Sequence, residues 1–198
     1  RLSFRNVISN GVTYKVYTLV IREGVGNADL KVGGEYPCNV DGVFVGYKGT
    51  LLNGTVFDSN NDGKLWNLDG SDHDGGQGVV RGWSEGFPQL KTGWVSSNAD
   101  GTLKYNDFGV GVFFIPSGLG YYNIVQGDIP AYSPLVFSVK LYSLKRYDHD
   151  ADGIPSFQED KNGDHYVNIF AVGVDNPDDT DKDGTPDFID FDDDGDGY

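Results

Sequence analysis

Methionine is absent from these 198 residues, cysteine occurs once and histidine three times. A lone Cys38 rules out an internal disulfide, and it reads as a small buried apolar residue rather than a reactive thiol. The Gly-Glu-Tyr-Pro before Cys38 lacks the apolar run that a lipid-anchor cysteine follows. No stretch approaches the roughly 18 apolar residues of a membrane-spanning helix. No leader segment is legible; the chain begins at Arg1, so it is expected to be a mature or trimmed product, with any targeting segment or lipid anchor upstream. Basic side chains are scarce: 15 against 30 acidic ones leave a net charge of −15. Phosphate backbones would be repelled, so nucleic acid is excluded as an expected partner.

The charge that is present is unevenly placed. Residues 1–147 hold 13 acidic and 13 basic side chains, whereas residues 148–198 hold 17 acidic and 2 basic ones. The first stretch is neutral and carries most of the 14% aromatic content, enough for a packed core. The second suggests metal cations or solvation. Two units are therefore expected, 1–147 and 148–198.

Period-two alternation dominates the first unit. Tyr14, Val16 and Val20 fit one face of an early strand; Val43, Val45 and Tyr47 fit one face of another. Leu135, Phe137, Val139 and Leu141 alternate with Val136, Ser138, Lys140 and Tyr142, and Val110 to Ile115 is short enough for a buried strand. Gly and Asn clusters punctuate these segments at 24–27, 60–63 and 74–77. A helix of one or two turns is predicted near Ser84–Lys91, with Trp83, Phe87 and Leu90 at near-helical spacing and Gly93 as the stop. Asn98-Ala-Asp-Gly101 lies between Trp94-Val95 and Leu103-Lys-Tyr105 and predicts a protruding hairpin. The fold class is α+β, a mostly antiparallel sheet with one short helix.

Four ordered motifs carry a resemblance. Val45-Gly-Tyr47-Lys-Gly-Thr-Leu-Leu-Asn-Gly-Thr-Val-Phe57-Asp58-Ser59 is similar to the opening motif of FKBP-type peptidyl-prolyl isomerases. Val79-Val80-Arg81-Gly82-Trp83-Ser-Glu-Gly86 resembles the segment leading into the helix under that family's pocket. Phe114-Ile115-Pro116 to Tyr121, then Ile129-Pro130 and Leu135-Val136-Phe137, continue in the family's order over roughly residues 11–146. The resemblance implies an antiparallel sheet wrapped on one short helix. It places Trp83 as pocket floor, Tyr47, Phe57, Trp66 and Phe137 as aromatic walls, and Val79 and Ile129 as further apolar lining. The Val80 N–H and the Tyr121 hydroxyl would bond substrate carbonyls, with Asp58 beside the pocket. Ser117 and Gly118 stand where the family usually has a Pro and an acidic residue, Tyr122 replaces a common glycine, and residues 94–107 look inserted.

Chemistry agrees with such a pocket. A peptide bond rotates over a barrier near ~18–20 kcal/mol, and neither a nucleophile nor a metal is needed to lower it. A dry site helps, because the twisted amide has lost resonance and loses less by leaving water than the planar one. His149 and His165 lie in the acidic stretch and His73 in a Gly-Asp loop, so a Ser-His-Asp or Cys-His arrangement is hard to assemble.

The acidic stretch repeats one spacing. Calcium takes six to eight oxygens from alternating positions of a short loop with Gly at its sharp turn. Asp148, Asp150, Asp152 and Gly153 supply that start, followed by the Ile154 carbonyl and Glu159 at position twelve. Asp179, Asp181, Asp183 and Gly184 repeat it, with Thr185, Asp187 and Asp190 after them. Asp190, Asp192, Asp194 and Gly195, with Asp196, start a third copy; Asp160, Asn162 and Asp164 form a partial one. The spacing resembles EF-hand loops and, with Pro155 and Pro186 inside the loops, more closely thrombospondin type 3 repeats. Expected partners are proline-containing polypeptides, calcium and macrolide FKBP ligands, with no cofactor for catalysis. Weak calcium modules work outside the cytosol, so a periplasmic or cell-surface location is expected. The other class these residues allow is a non-catalytic proline-peptide binding or calcium-dependent adhesion module.

Overall fold

The computed structural model describes residues 1–171 and 173–197. Its strands are β1 (Leu2–Ser9), β2 (Val12–Arg22), β3 (Gly42–Leu51), β4 (Val56–Asn67), β5 (Gln77–Gly78), β6 (Trp94–Ser97), β7 (Leu103–Asn106), β8 (Gly109–Ile115) and β9 (Leu135–Lys145). The helix α1 spans Arg81–Gly86 and runs into a 3-10 turn at Phe87–Gln89. Seven strands form one sheet in the order β1-β2-β8-β9-β3-β4-β5, antiparallel except for the short β4–β5 pair. This is the α+β architecture that alternation predicts: Val16, Val43, Val45, Leu135, Phe137, Val139 and Leu141 are all buried in one core.

The chain curls around α1, and residue size decides how closely. A Cβ on Gly82 would lie 2.4 Å from the Ile115 side chain, so only glycine lets the helix sit this low on β8. That approach buries Trp83 and Phe87 under the sheet.

Three local expectations change. The helix starts at Arg81 rather than Ser84 and has ended by Leu90, which is extended; Gly93 is not its stop. Pro88 explains the early end, because it has no N–H for the next helical bond. Asn60 to Gly63 is not a turn between elements but an irregularity inside β4, closed by Asn60 Oδ1 accepting the N–H groups of Asp62 and Gly63. β1 has no counterpart in the alternation read from sequence. The hairpin expected at 94–107 forms as β6 paired with β7.

Beyond β9 the described residues have little regular structure, only 3-10 turns at Ser156–Gln158 and Asp187–Ile189. This stretch is nevertheless docked. Cys38, Val40, Val167 and Phe188 share a small buried cluster with Phe157. Asn39 exchanges side-chain bonds with the Val167 backbone, and the Tyr166 hydroxyl donates to the Glu85 carbonyl of α1 at 2.8 Å. No helix among the described residues is long and apolar enough to cross a membrane.

Candidate active site

A cavity of about 310 Å³ opens between the sheet and α1. Tyr47 comes from β3, Phe57, Asp58 and Trp66 from β4, and Phe137 from β9. Val79 and Val80 lead into α1, which supplies Trp83; Tyr121 and Ile129 come from the segment between β8 and β9. All ten residues singled out in the sequence therefore line one cavity. Gly78, Gln126, Gly127 and Asp128 line it too, and the sequence reading omits them. Gln126 and Ile129 exchange backbone bonds of 3.0 and 2.9 Å around Gly127-Asp128. A Gly-Asp pair is a two-residue turn signal that marks such a finger.

Trp83 is 3% exposed and forms the inner end. Its ring meets Tyr47, Trp66, Phe87 and Phe137 edge-on at centroid distances of 5.3, 5.6, 5.2 and 5.1 Å. Edge-to-face packing of this kind favours fixed ring positions. Phe57 stands edge-on to Phe137 at 5.4 Å. The polar groups are few. The Tyr47 hydroxyl donates to Asp58 Oδ2 at 2.6 Å, and Asp58 is exposed at the rim. Burial, then the Asp58 hydrogen bond, pushes the Tyr47 phenol above its ordinary range; burial and the Asp58 charge do the same for Tyr121. Both phenols thus remain protonated donors at neutral pH. The cavity can desolvate a small apolar ring and offer hydrogen bonds at its mouth.

In the acidic stretch, carboxylates converge in the trios Asp148/Asp150/Asp152, Asp179/Asp181/Asp183 and Asp192/Asp194/Asp196. Each loop is shaped by its first Asp: Asp148 accepts from the N–H of Ala151 and Gly153, and Asp179 from that of Lys182 and Gly184. Asp192 accepts from the Gly197 N–H. Glycine lies five residues on from both Asp190 and Asp192, but the bond and the trio form from Asp192, so the last loop begins there rather than at Asp190. The partial copy takes the same shape, with Asp160 accepting from Gly163 and His165. Asp187 turns away: its carboxylate holds Thr180 and Lys161 instead of joining a trio. Ile154 donates its N–H to Asp152 and Thr185 its N–H to Asp183, while Asn162 and Asp164 cap the Asp160 loop.

The histidines are less scattered than the sequence suggests. His73 and His149 both face Asp69 Oδ2, at 3.1 and 3.7 Å, and His149 Nδ1 lies 2.8 Å from the Ser156 hydroxyl. Ser156, His149 and Asp69 do come together, but His149 Nε2 makes no hydrogen bond to Asp69, and Ser156 is 1% exposed, so no substrate carbonyl can reach it. Cys38 is buried as expected, and desolvation pushes its thiol up to about 12, which keeps it protonated and unreactive.

Comparison with known proteins follows this division of the chain. Residues 33–142 match the family described as FKBP-type peptidyl-prolyl cis-trans isomerase. Residues 149–198, likened above to thrombospondin type 3 repeats, are matched instead by the family described as BamM C-terminal. FK506-binding protein 1 of Dictyostelium discoideum is 35% identical over 127 residues, 64% of this chain and 94% of that protein. The FKBP-type peptidyl-prolyl cis-trans isomerase FkpA of Escherichia coli strain K12 is 34% identical over 115 residues, 57% of this chain. That match spans 34% of FkpA, about a third of its length. The crystal structure of FkpA from Escherichia coli aligns with a TM-score of 0.48 at 31% identity, covering 66% of this chain and 48% of that one.

Proposed function

The chain belongs to the family of FKBP-type peptidyl-prolyl cis-trans isomerases, and on that premise we propose that its aromatic cavity isomerises X–Pro bonds of polypeptide clients. The observation that carries this is the convergence of ten residues, taken from separate motifs, on one cavity with an apolar end and a polar rim. The proline ring enters toward Trp83, between Tyr47, Phe57, Trp66 and Phe137. Val79 and Ile129 close the sides. The Val80 N–H and the Tyr121 hydroxyl bond the flanking carbonyls, and Asp58, bridged by Tyr47, orients the rim. Excluding water favours the twisted amide over the planar one, which lowers the barrier without a covalent step. Macrolides of the kind this family binds would occupy the same space.

The three carboxylate trios support a second part of the reading, that residues 148–198 form a calcium-stabilised extension. Hard cations prefer such oxygen sets, and weak loops of this type load at about 10⁻⁴–10⁻³ M calcium. Such levels occur outside the cytosol, so the reading extends to a folding helper of the cell envelope.

A protease-coupled assay on an Ala-Leu-Pro-Phe peptide tests the first part. The wild-type chain should accelerate isomerisation; Trp83→Ala should lose both rate and macrolide binding, and Trp83→Leu should keep more of each. Macrolide binding without acceleration would assign the cavity to a binding-only module. Unchanged rate and affinity in Trp83→Ala would remove the pocket assignment.

A further inference from the structure

Glu159, at position twelve of the first loop, also meets an acid from the last loop. Glu159 is fully buried, and neither of its oxygens has a hydrogen-bond partner among the described residues. Asp150 and Asp193 are half-buried, each with one buried oxygen (Oδ2 and Oδ1) that is likewise unpartnered among the described residues, and the three residues each offer an oxygen within 4.8 Å of the others. Asp150 and Glu159 belong to the first loop. Asp193 comes from the last, where it is the acid left out of the Asp192/Asp194/Asp196 trio. The segments are also brought together by apolar contact: the turns Ser156–Gln158 and Asp187–Ile189 pack on each other, and the His149 ring meets Phe188 edge-on.

We propose that Asp150, Glu159 and Asp193 hold one calcium ion shared between the first and last loops, closing the tail as a clasp. The proposal deepens the reading of the tail as calcium-binding and rests on it. Buried carboxylates without partners are costly, and bringing three together adds repulsion, so the arrangement calls for a cation at their centre. Oxygen-only donors select a hard ion over zinc or copper. Both Glu159 oxygens are open to a bidentate contact, which calcium accepts readily; magnesium demands near-ideal octahedral geometry and keeps its water. The ion would therefore connect residues 34 positions apart (159 and 193), which no single repeat can do.

The test uses the full chain stripped of metal, with bound calcium counted by equilibrium dialysis and the Gly153 amide followed by NMR as calcium is added. Asp193→Asn should bind one ion fewer and raise the calcium needed to shift Gly153 at least tenfold, and Glu159→Gln should do the same. Asp181→Asn, in the middle loop, should lose an ion without moving the Gly153 titration. If Asp193→Asn keeps the wild-type count and titration while the chain still takes up calcium, the shared ion is wrong and the tail reading stands. A wild-type chain that takes up no calcium overturns both. Magnesium producing the same Gly153 shift at the same concentration overturns the choice of calcium.

Discussion

Asp58 and Tyr121 present the two side-chain polar functions that the pocket reading uses directly, and each can be tested by removing a single group. Tyr121→Phe deletes one hydroxyl from a half-buried ring and keeps its packing, and Asp58→Asn deletes one charge at the exposed rim. A neutral hydrogen bond contributes about 0.5–1.5 kcal/mol, so kcat/KM should fall by roughly two- to tenfold with the melting temperature unchanged. Full activity in both variants would remove their roles. Asp41, deep under the tail, makes a different prediction. It is 1% exposed and bonded by Arg146 and the Cys38 N–H, yet burial pushes its carboxyl up to about 6 from 3.8. The folded state then holds the proton more tightly than the unfolded chain. Its contribution is full below about pH 4 and is lost as pH rises through about 6. Relative to Asp41→Asn, the wild type should gain up to about 3 kcal/mol between pH 7 and pH 4. Urea melts across that range check it; parallel profiles would show that the fold leaves Asp41 unperturbed. The pocket was largely legible at this scale because its residues sit in ordered motifs. Asp193 was not, because it lies off the spacing that draws attention to its neighbours.

At the scale of elements, β1 explains what alternation cannot read. Its apolar Leu2, Phe4 and Ile8 are exposed, while Ser3 and Arg5 face inward. The inward residues are bonded: Ser3 to Gln89 beyond α1, and Arg5 to Glu85 on α1 while its guanidinium stacks over Tyr166 at 3.4 Å. Val7 keeps the usual inward apolar place, but at Ser3 and Arg5 the pattern is inverted because the partners are polar and distant in sequence. β3, by contrast, was legible, and its least conspicuous residue shapes the cavity wall. A Cβ on Gly49 would lie 2.5 Å from Phe57 and 2.9 Å from Phe137. Gly49→Ala should therefore drive Phe57 off its edge-on contact. Overpacking of this kind costs about 1–3 kcal/mol. The variant should melt earlier and bind macrolide more weakly, measured by calorimetry on the same sample. A variant with wild-type affinity would show that the Phe57 wall is dispensable.

For the whole molecule, the sequence predicts two units with separate physics, and the structure adds the joint between them. Like charges in the tail repel, and few of its apolar residues are buried, so it should not stay ordered without cations. Its anchors, however, are on the neutral domain: Val167 and Phe188 beside Cys38 and Val40, Phe157 under the Arg146 guanidinium, and Tyr166 on the Glu85 carbonyl. Glu85 lies on the same helix as Trp83, so the tail contacts α1. No residue beyond Phe137 lines the cavity among the described residues. Chelation should therefore expose residues 148–198 to protease and lower the melting temperature of the full chain, while most isomerase activity at 25 °C survives. Tyr166→Phe gives the controlled version. Loss of one hydrogen bond, about 0.5–1.5 kcal/mol, should lower the melting temperature in calcium by a few degrees. In chelator the same substitution should change nothing, because the contact is already open. If activity instead falls with chelation and returns with calcium, the support of α1 reaches Trp83, and the tail then controls the pocket rather than only stabilising the chain that carries it.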